Sequence, residues 1–147
     1  MHLPRYQYRT NKSYLDYEFV SEGPKGRVRK VVRFLQITDD VYNLGFGDLD
    51  EATGAISDTA ITNNKDRQKV LTTVASTVYD FCKAHPGKRI FVRGSTPART
   101  RLYRIGITNN WEEISRDFDV YGLKNGEWEP FQLRREYDAF LIDSKEF

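Results

Sequence analysis

Asp66-Arg67-Gln68-Lys69-Val70-Leu71-Thr72-Thr73-Val74-Ala75-Ser76-Thr77-Val78-Tyr79-Asp80-Phe81-Cys82-Lys83 and, beyond His85-Pro86-Gly87, the short run Ile90-Phe91-Val92 decide the class of fold. Val70, Val74, Val78, Phe81 and Cys82 recur at helical spacing, so residues 66–83 are expected as an amphipathic helix with one apolar face. His85-Pro86-Gly87 ends it. A run of three apolar residues flanked by Arg89 and Arg93 reads as a buried strand, and a strand reached through a helix implies a parallel crossover. Upstream the period changes to two. Leu15, Tyr17 and Phe19 share one face over residues 15–21, Val28, Val32 and Phe34 share one over 27–37, and Tyr42, Leu44 and Phe46 share one over 41–47. Glu22-Gly23-Pro24-Lys25-Gly26 turns the chain between the first two strands, so an antiparallel three-stranded meander is expected. Its third strand carries Gly45 and Gly47 on the other face, where a helix or another backbone can approach closely. Residues 50–54 read as a turn and 55–61 as a short return strand.

Downstream, a second helix is expected over residues 97–105, ended by Gly106, with Ala98, Leu102 and Ile105 toward the core and Arg99 beside Tyr103. Ile-Thr-Asn-Asn occurs at 61–64 and again at 107–110. Asn63 with Asp66, and Asn109 with Glu112, have the spacing of an N-cap and its third helical residue, which predicts helix starts at both. Asn125-Gly126 marks a tight hairpin, and residues 137–142 supply the last strand. The sum is one α+β domain over residues 1–147: a three-stranded meander, a long helix, a further strand, two short helices, a C-terminal hairpin and a strand.

At 147 residues and 17.2 kDa the chain has room for one core and no separate cofactor lobe. Aromatics make up 14% of it, enough to fill that core, and 30% of residues are charged. No window approaches the length of a membrane span, no secretory leader is evident and there is one cysteine, so a cytoplasmic setting is expected and no membrane partner. The small net charge of +2 conceals blocks. Residues 5–36 carry eight Lys or Arg against three acids. Residues 39–58 carry six acids and no base. Residues 83–104 carry seven bases and no acid, and residues 112–143 nine acids against four bases. Such blocks either neutralise one another or leave a basic side for an anionic partner.

The stretch Arg93-Gly94-Ser95-Thr96-Pro97-Ala98-Arg99-Thr100-Arg101-Leu102-Tyr103-Arg104 carries the clearest chemistry. Thr96 can cap, Pro97 suits the first helical position and Gly94 permits a tight turn. A helix start favours anions, and Arg99 in its first turn is unfavourable by about 0.3–1 kcal/mol unless an anion or carboxylate compensates it. Gly94, Ser95, Thr96, Arg99, Arg101 and Arg104 are therefore the expected phosphate or anion site, with Tyr103 as a stacking surface. A secondary basic face is expected on Arg27, Arg29 and Arg33, joined by Arg5-Tyr6-Gln7-Tyr8-Arg9, since bases interleaved with aromatics can hold a nucleic-acid strand.

Weaker signals point elsewhere. Asp48-Leu49-Asp50-Glu51 lacks the closing glutamate of a calcium loop and reads as a turn. His2 and His85 have no evident nucleophile beside them, Cys82 sits on the apolar stripe of the helix, and Trp111 and Trp128 read as packing residues. No metal or cofactor is implied.

Asp16-Tyr17-Glu18-Phe19-Val20-Ser21-Glu22-Gly23-Pro24-Lys25-Gly26, Tyr42-Asn43-Leu44-Gly45-Phe46-Gly47-Asp48, Thr77-Val78-Tyr79-Asp80-Phe81 and residues 94–104 resemble a family of short uncharacterised proteins encoded mainly in Bacteroidetes, over about residues 14–142. The resemblance implies a bacterial, cytoplasmic protein and no particular activity. The order of elements is also similar to that of ribonuclease-H-like domains, which hold two metal ions on carboxylates of the first strand, the first helix and the end of the fourth strand. Asp16 and Glu18 fit the first strand, and Asp66 and Asp80 lie near the ends of the helix. The fourth strand, however, ends in Arg93-Gly94-Ser95-Thr96, which puts a basic group where an acid is needed. The expected function is a binding domain for a phosphate-bearing partner, RNA or a nucleotide. The alternative is a protein-interaction or self-associating module with complementary acidic and basic faces, and the third is a degenerate or metal-dependent nuclease-like enzyme in which Asp16, Glu18 and Asp48 converge.

Overall fold

A computed structural model describes residues 2–57 and 62–145. Among the described residues eight strands form one sheet: β1 (Arg9–Thr10), β2 (Asp16–Gly23), β3 (Gly26–Gln36), β4 (Val41–Asp48), β5 (Arg89–Val92), β6 (Phe118–Lys124), β7 (Glu127–Pro130) and β8 (Ala139–Ser144). Three helices interrupt them: α1 (Arg67–Ala84) and, between β5 and β6, α2 (Pro97–Asn109) and α3 (Trp111–Asp117). The strand order is β1-β2-β3-β4-β5-β8-β6-β7. β2, β3 and β4 form the expected meander, extended at its edge by the two-residue β1. The crossover through α1 makes β4 and β5 parallel, with Val41 opposite Arg89 and Leu44 opposite Val92. All other pairings are antiparallel, and β8 inserts between β5 and β6.

The alternation read in the sequence places Tyr17, Phe19, Val32, Phe34, Tyr42, Leu44 and Phe46 in the core, facing Val70, Val74, Val78, Phe81 and Cys82 of α1. Phe81 is the centre of this packing, stacked on Phe34 at 4.3 Å between ring centroids and edge-on to Tyr42 at 5.1 Å. The bare glycine face of β4 is covered by a loop, not by a helix. Leu49 and Ile56 form an antiparallel bridge, and a Cβ at Gly47 would stand 2.7 Å from the Ile56 side chain. The expected return strand over 55–61 runs into residues 58–61, which lie outside the described ones.

The helix boundaries correct three expectations. α1 begins after Asp66, which makes no side-chain capping bond, while the Asn63 carboxamide accepts the Lys65 N–H at 3.0 Å. Its neighbour Asn64 is buried and fastens the β2–β3 turn, accepting from the Lys25 N–H at 2.7 Å and donating to the Gly26 carbonyl at 2.8 Å. These asparagines stitch a loop, so neither is free to cap. Gly106 does not end α2. It is buried where α2 meets α1, and a Cβ there would stand 3.3 Å from the Leu71 Cβ, so the glycine serves close helix packing and the helix continues to Asn109. Asn110, not Asn109, joins α2 to α3, with its carboxamide donating to the Gly106 carbonyl at 2.9 Å.

Candidate functional site

The turn from β5 into α2 forms as its residues dictate, but its hydroxyls are used internally. Thr96 caps α2 by accepting the Arg99 N–H at 3.2 Å, and Pro97 follows it. The Thr100 hydroxyl accepts the Gly94 N–H at 3.0 Å and donates to the Thr96 carbonyl at 3.2 Å. The Arg99 guanidinium donates to the Ser95 hydroxyl at 2.9 Å. Gly94 is essential to this knot, because a Cβ there would stand 2.4 Å from the Thr100 backbone nitrogen. Gly94→Ala should therefore displace the start of α2 and cost about 1–3 kcal/mol, read as a lower urea midpoint. An unchanged midpoint would show that the turn yields at no cost.

The knot also fixes the rotation of α2. Thr100, Gly106 and Ile107 are buried and Tyr103 packs on the core, whereas Ala98 is exposed and Leu102 and Ile105 are half-buried, so the expected apolar face is turned partly outward. Tyr103 is consequently half-buried against the core and does not line the cleft beside Arg101 and Arg104. Its ring lies against the apolar cluster with Leu71, Val74 and Ile107, and burial pushes its hydroxyl above the ordinary tyrosine range.

Beyond the carboxyl end of β5 opens a cleft of about 460 Å³. One wall carries Arg93, Gly94, Ser95, Thr96, Arg101 and Arg104, and the other carries Lys124, Asn125, Glu136, Tyr137 and Asp138. Arg99 lies outside it, on the adjoining surface with Arg67 and Ile105. The second wall reaches the first because β8 pairs with both β5 and β6, placing Phe140 opposite Val92 and Ala139 opposite Leu123. Within the sequence those residues stand apart, and the hairpin at Asn125-Gly126 was their one local signal. Among the described residues the guanidinium groups of Arg93, Arg101 and Arg104 form no ion pair or hydrogen bond. Lys124 is held, its ammonium donating to the Glu136 carbonyl at 3.3 Å.

The other expected basic face is neutralised. Arg29 pairs with Glu18 and, at 3.3 Å, with Glu51; Arg33 pairs with Asp16 at 3.1 Å, and Arg27 stands 3.7 Å from Glu22. Antiparallel register sets the contacts with Asp16, Glu18 and Glu22, since β2 lays these acids against β3, and Glu51 reaches Arg29 from beyond β4. The aromatics before β1 are also committed. Tyr6 stacks on Phe19 and donates to Asp66 at 2.6 Å, and Tyr8 packs edge-on to Tyr17 and donates to Asp80.

Those bonds bear on the carboxylates. Asp16 and Glu18 lie on the sheet face opposite the core, whereas Asp48 points inward and holds the buried Lys30, so the three do not converge. β5 pairs with β4, leaving β3 and β4 between it and the first-strand acids, and the ribonuclease-H-like metal grouping is not formed. Among the described residues no three His, Cys, Asp or Glu side chains are placed to hold a metal ion. His85 bonds through Nε2 to the Ser13 carbonyl at 2.7 Å and stacks on Phe81. His2 lies against Glu113, and burial pushes the Cys82 thiol up to about 12, so that it stays protonated and unreactive.

No described helix is long and apolar enough to cross a membrane. No curated protein and no solved structure matches the chain. A family model matches residues 2–145, nearly all of the sequence, and the chain therefore belongs to that family of unknown function, DUF6934.

Proposed function

We propose that this chain is a binding domain for a phosphate-bearing ligand, RNA or a nucleotide, taken up in the cleft between the β5–α2 turn and the β6–β7 hairpin. A bacterial cytoplasm, implied by the sequence resemblance, is the setting this reading assumes. One observation carries it: Arg93, Arg101 and Arg104 line a single cleft and have no carboxylate partner among the described residues, whereas Arg27, Arg29, Arg33, Arg89, Arg116 and Arg135 are each paired. Guanidinium groups left unpaired around a concavity hold a charge that a phosphate answers with strong, directional hydrogen bonds.

Titration with pyrophosphate and with a short single-stranded RNA, at two salt concentrations, tests this. Arg101→Ala and Arg104→Ala should each weaken binding about tenfold. Binding should fall as salt rises, because phosphate contacts release counterions. Arg29→Ala, which removes a paired arginine outside the cleft, should leave binding unchanged. Salt-insensitive binding, or equal losses at Arg29 and Arg101, would overturn the reading. Absence of binding would turn the search to a protein partner or a second copy of the chain, for which mass in solution at low and high salt is the measurement.

A further inference from the structure

Taking the cleft as the anion site just described, we infer that its ligand is a nucleoside phosphate and not a nucleic-acid strand, with phosphate on Arg93, Arg101 and Arg104 and the nucleoside's hydroxyl and amine donors on Glu136 and Asp138. The second wall is built by alternation. Tyr137 is buried, and the residues on either side of it are exposed and line the cleft. Tyr137 is fastened by its hydroxyl, which donates to Glu129 at 3.0 Å and accepts the Gln132 N–H at 3.0 Å, and by its ring, which lies where a Cβ on Gly122 would stand 2.3 Å away. The segment bearing both carboxylates is thus held in place on the core.

Neither carboxylate makes an ion pair or hydrogen bond among the described residues, although three unpaired arginines line the same space. Opposite charges that stand across a gap without closing it form a bipolar site, whose best occupant is anionic at one end and rich in donors at the other. An ionised carboxylate only accepts hydrogen bonds, so it selects O–H and N–H groups. Ribose hydroxyls and exocyclic base amines are such donors, and carboxylates recognise both. A strand repeats its charge at every nucleotide and would lay phosphate against Glu136 and Asp138, which repel it. A free pair of ribose hydroxyls exists where the 3′ oxygen carries no phosphodiester, the state of a mononucleotide. A volume of about 460 Å³ lies within the range of small-molecule sites.

The test is calorimetric titration of the wild-type chain and a Glu136→Gln/Asp138→Asn double variant with pyrophosphate, with the four common ribonucleoside diphosphates, and with a single-stranded RNA octamer blocked at its 3′ end by phosphate. Both substitutions are exposed and nearly isosteric, and retained pyrophosphate binding reports that the cleft is intact. At least one diphosphate should bind about tenfold more tightly than pyrophosphate to the wild type. That advantage should vanish in the double variant while pyrophosphate binding holds or tightens. Equal binding of pyrophosphate and all four diphosphates, lost together in Arg101→Ala, would overturn the nucleoside inference and leave the anion site standing. An octamer that binds more tightly than any diphosphate, and more tightly still to the double variant, would also overturn it. If none of the probes binds, the anion reading itself fails and this inference with it.

Discussion

Asp48→Asn should destabilise the folded chain by about 3 kcal/mol, because it leaves the Lys30 ammonium buried without a counter-charge. Lys30 is 1% exposed, and its Nζ is bonded to Asp48 and, at 2.9 Å, to the Thr62 carbonyl. The second Asp48 oxygen accepts the Thr62 N–H at 2.9 Å, so the pair ties β3, β4 and the chain leading into α1 together. Lys30→Met added to Asp48→Asn should recover most of the loss, since removing both charges removes the burial cost with them. Urea unfolding of the four chains in a double-mutant cycle measures the coupling. Additive losses would show that water solvates Lys30 as well as Asp48 does. The same pair gives an acid dependence. Burial alone would raise the Asp48 carboxyl, but hydrogen bonds from Lys30 and Thr62 outweigh burial and hold it below the ordinary range. The unfolded chain therefore takes up the proton first. The stabilisation is complete above the unfolded carboxyl value of about 4 and is lost as pH falls through the lower folded value. Asp48→Asn should remove that component of the acid transition.

Phe81→Ala should cost about 3–5 kcal/mol, the largest expected effect of a single core truncation here. The side chain is fully buried and meets Phe34 and Tyr42 on the sheet and His85, at 4.9 Å, beyond the end of α1. Truncation leaves a cavity between rigid rings that cannot collapse into it. Phe81→Leu should cost roughly 1–2 kcal/mol because most of the volume is kept. Guanidinium unfolding checks both. The cleft lies beyond the opposite end of β5, so whatever fraction of Phe81→Ala remains folded should bind pyrophosphate as the wild type does. A loss of affinity that exceeds the loss of folded protein would mean that the core end and the cleft are coupled.

The arginines show how far the sequence could be read. Basic and acidic blocks were both visible, but which base meets which acid depends on register across strands. Arg33 finds Asp16 because β2 pairs with β3, and Arg89 finds Asp40 at 3.0 Å because β5 starts beside the β3–β4 turn. Arg101 and Arg104, drawn from the same block as Arg89, find no acid among the described residues. The first wall of the cleft was likewise legible as Gly94, Thr96, Arg101 and Arg104, while the rotation of α2 leaves Arg99 outside the cleft and turns Tyr103 toward the core. That rotation is set by contacts with Gly94 and Leu71, and no helical period encodes a neighbour's position. Lys124, Glu136 and Asp138 carried no local mark of belonging to the same cleft.

By itself the sequence determined the elements whose evidence is local: alternation placed Tyr17, Phe19, Phe34 and Leu44 inward, and helical spacing placed Val70, Val74 and Phe81 against them. These patterns repeat within a few residues, where backbone geometry alone relates one side chain to the next. Only the tertiary structure decided that β8 lies between β5 and β6, which charges are spent in pairs, and which remain to line a cleft. Those outcomes are settled by packing between segments far apart in the chain, through small energy differences that no single stretch contains.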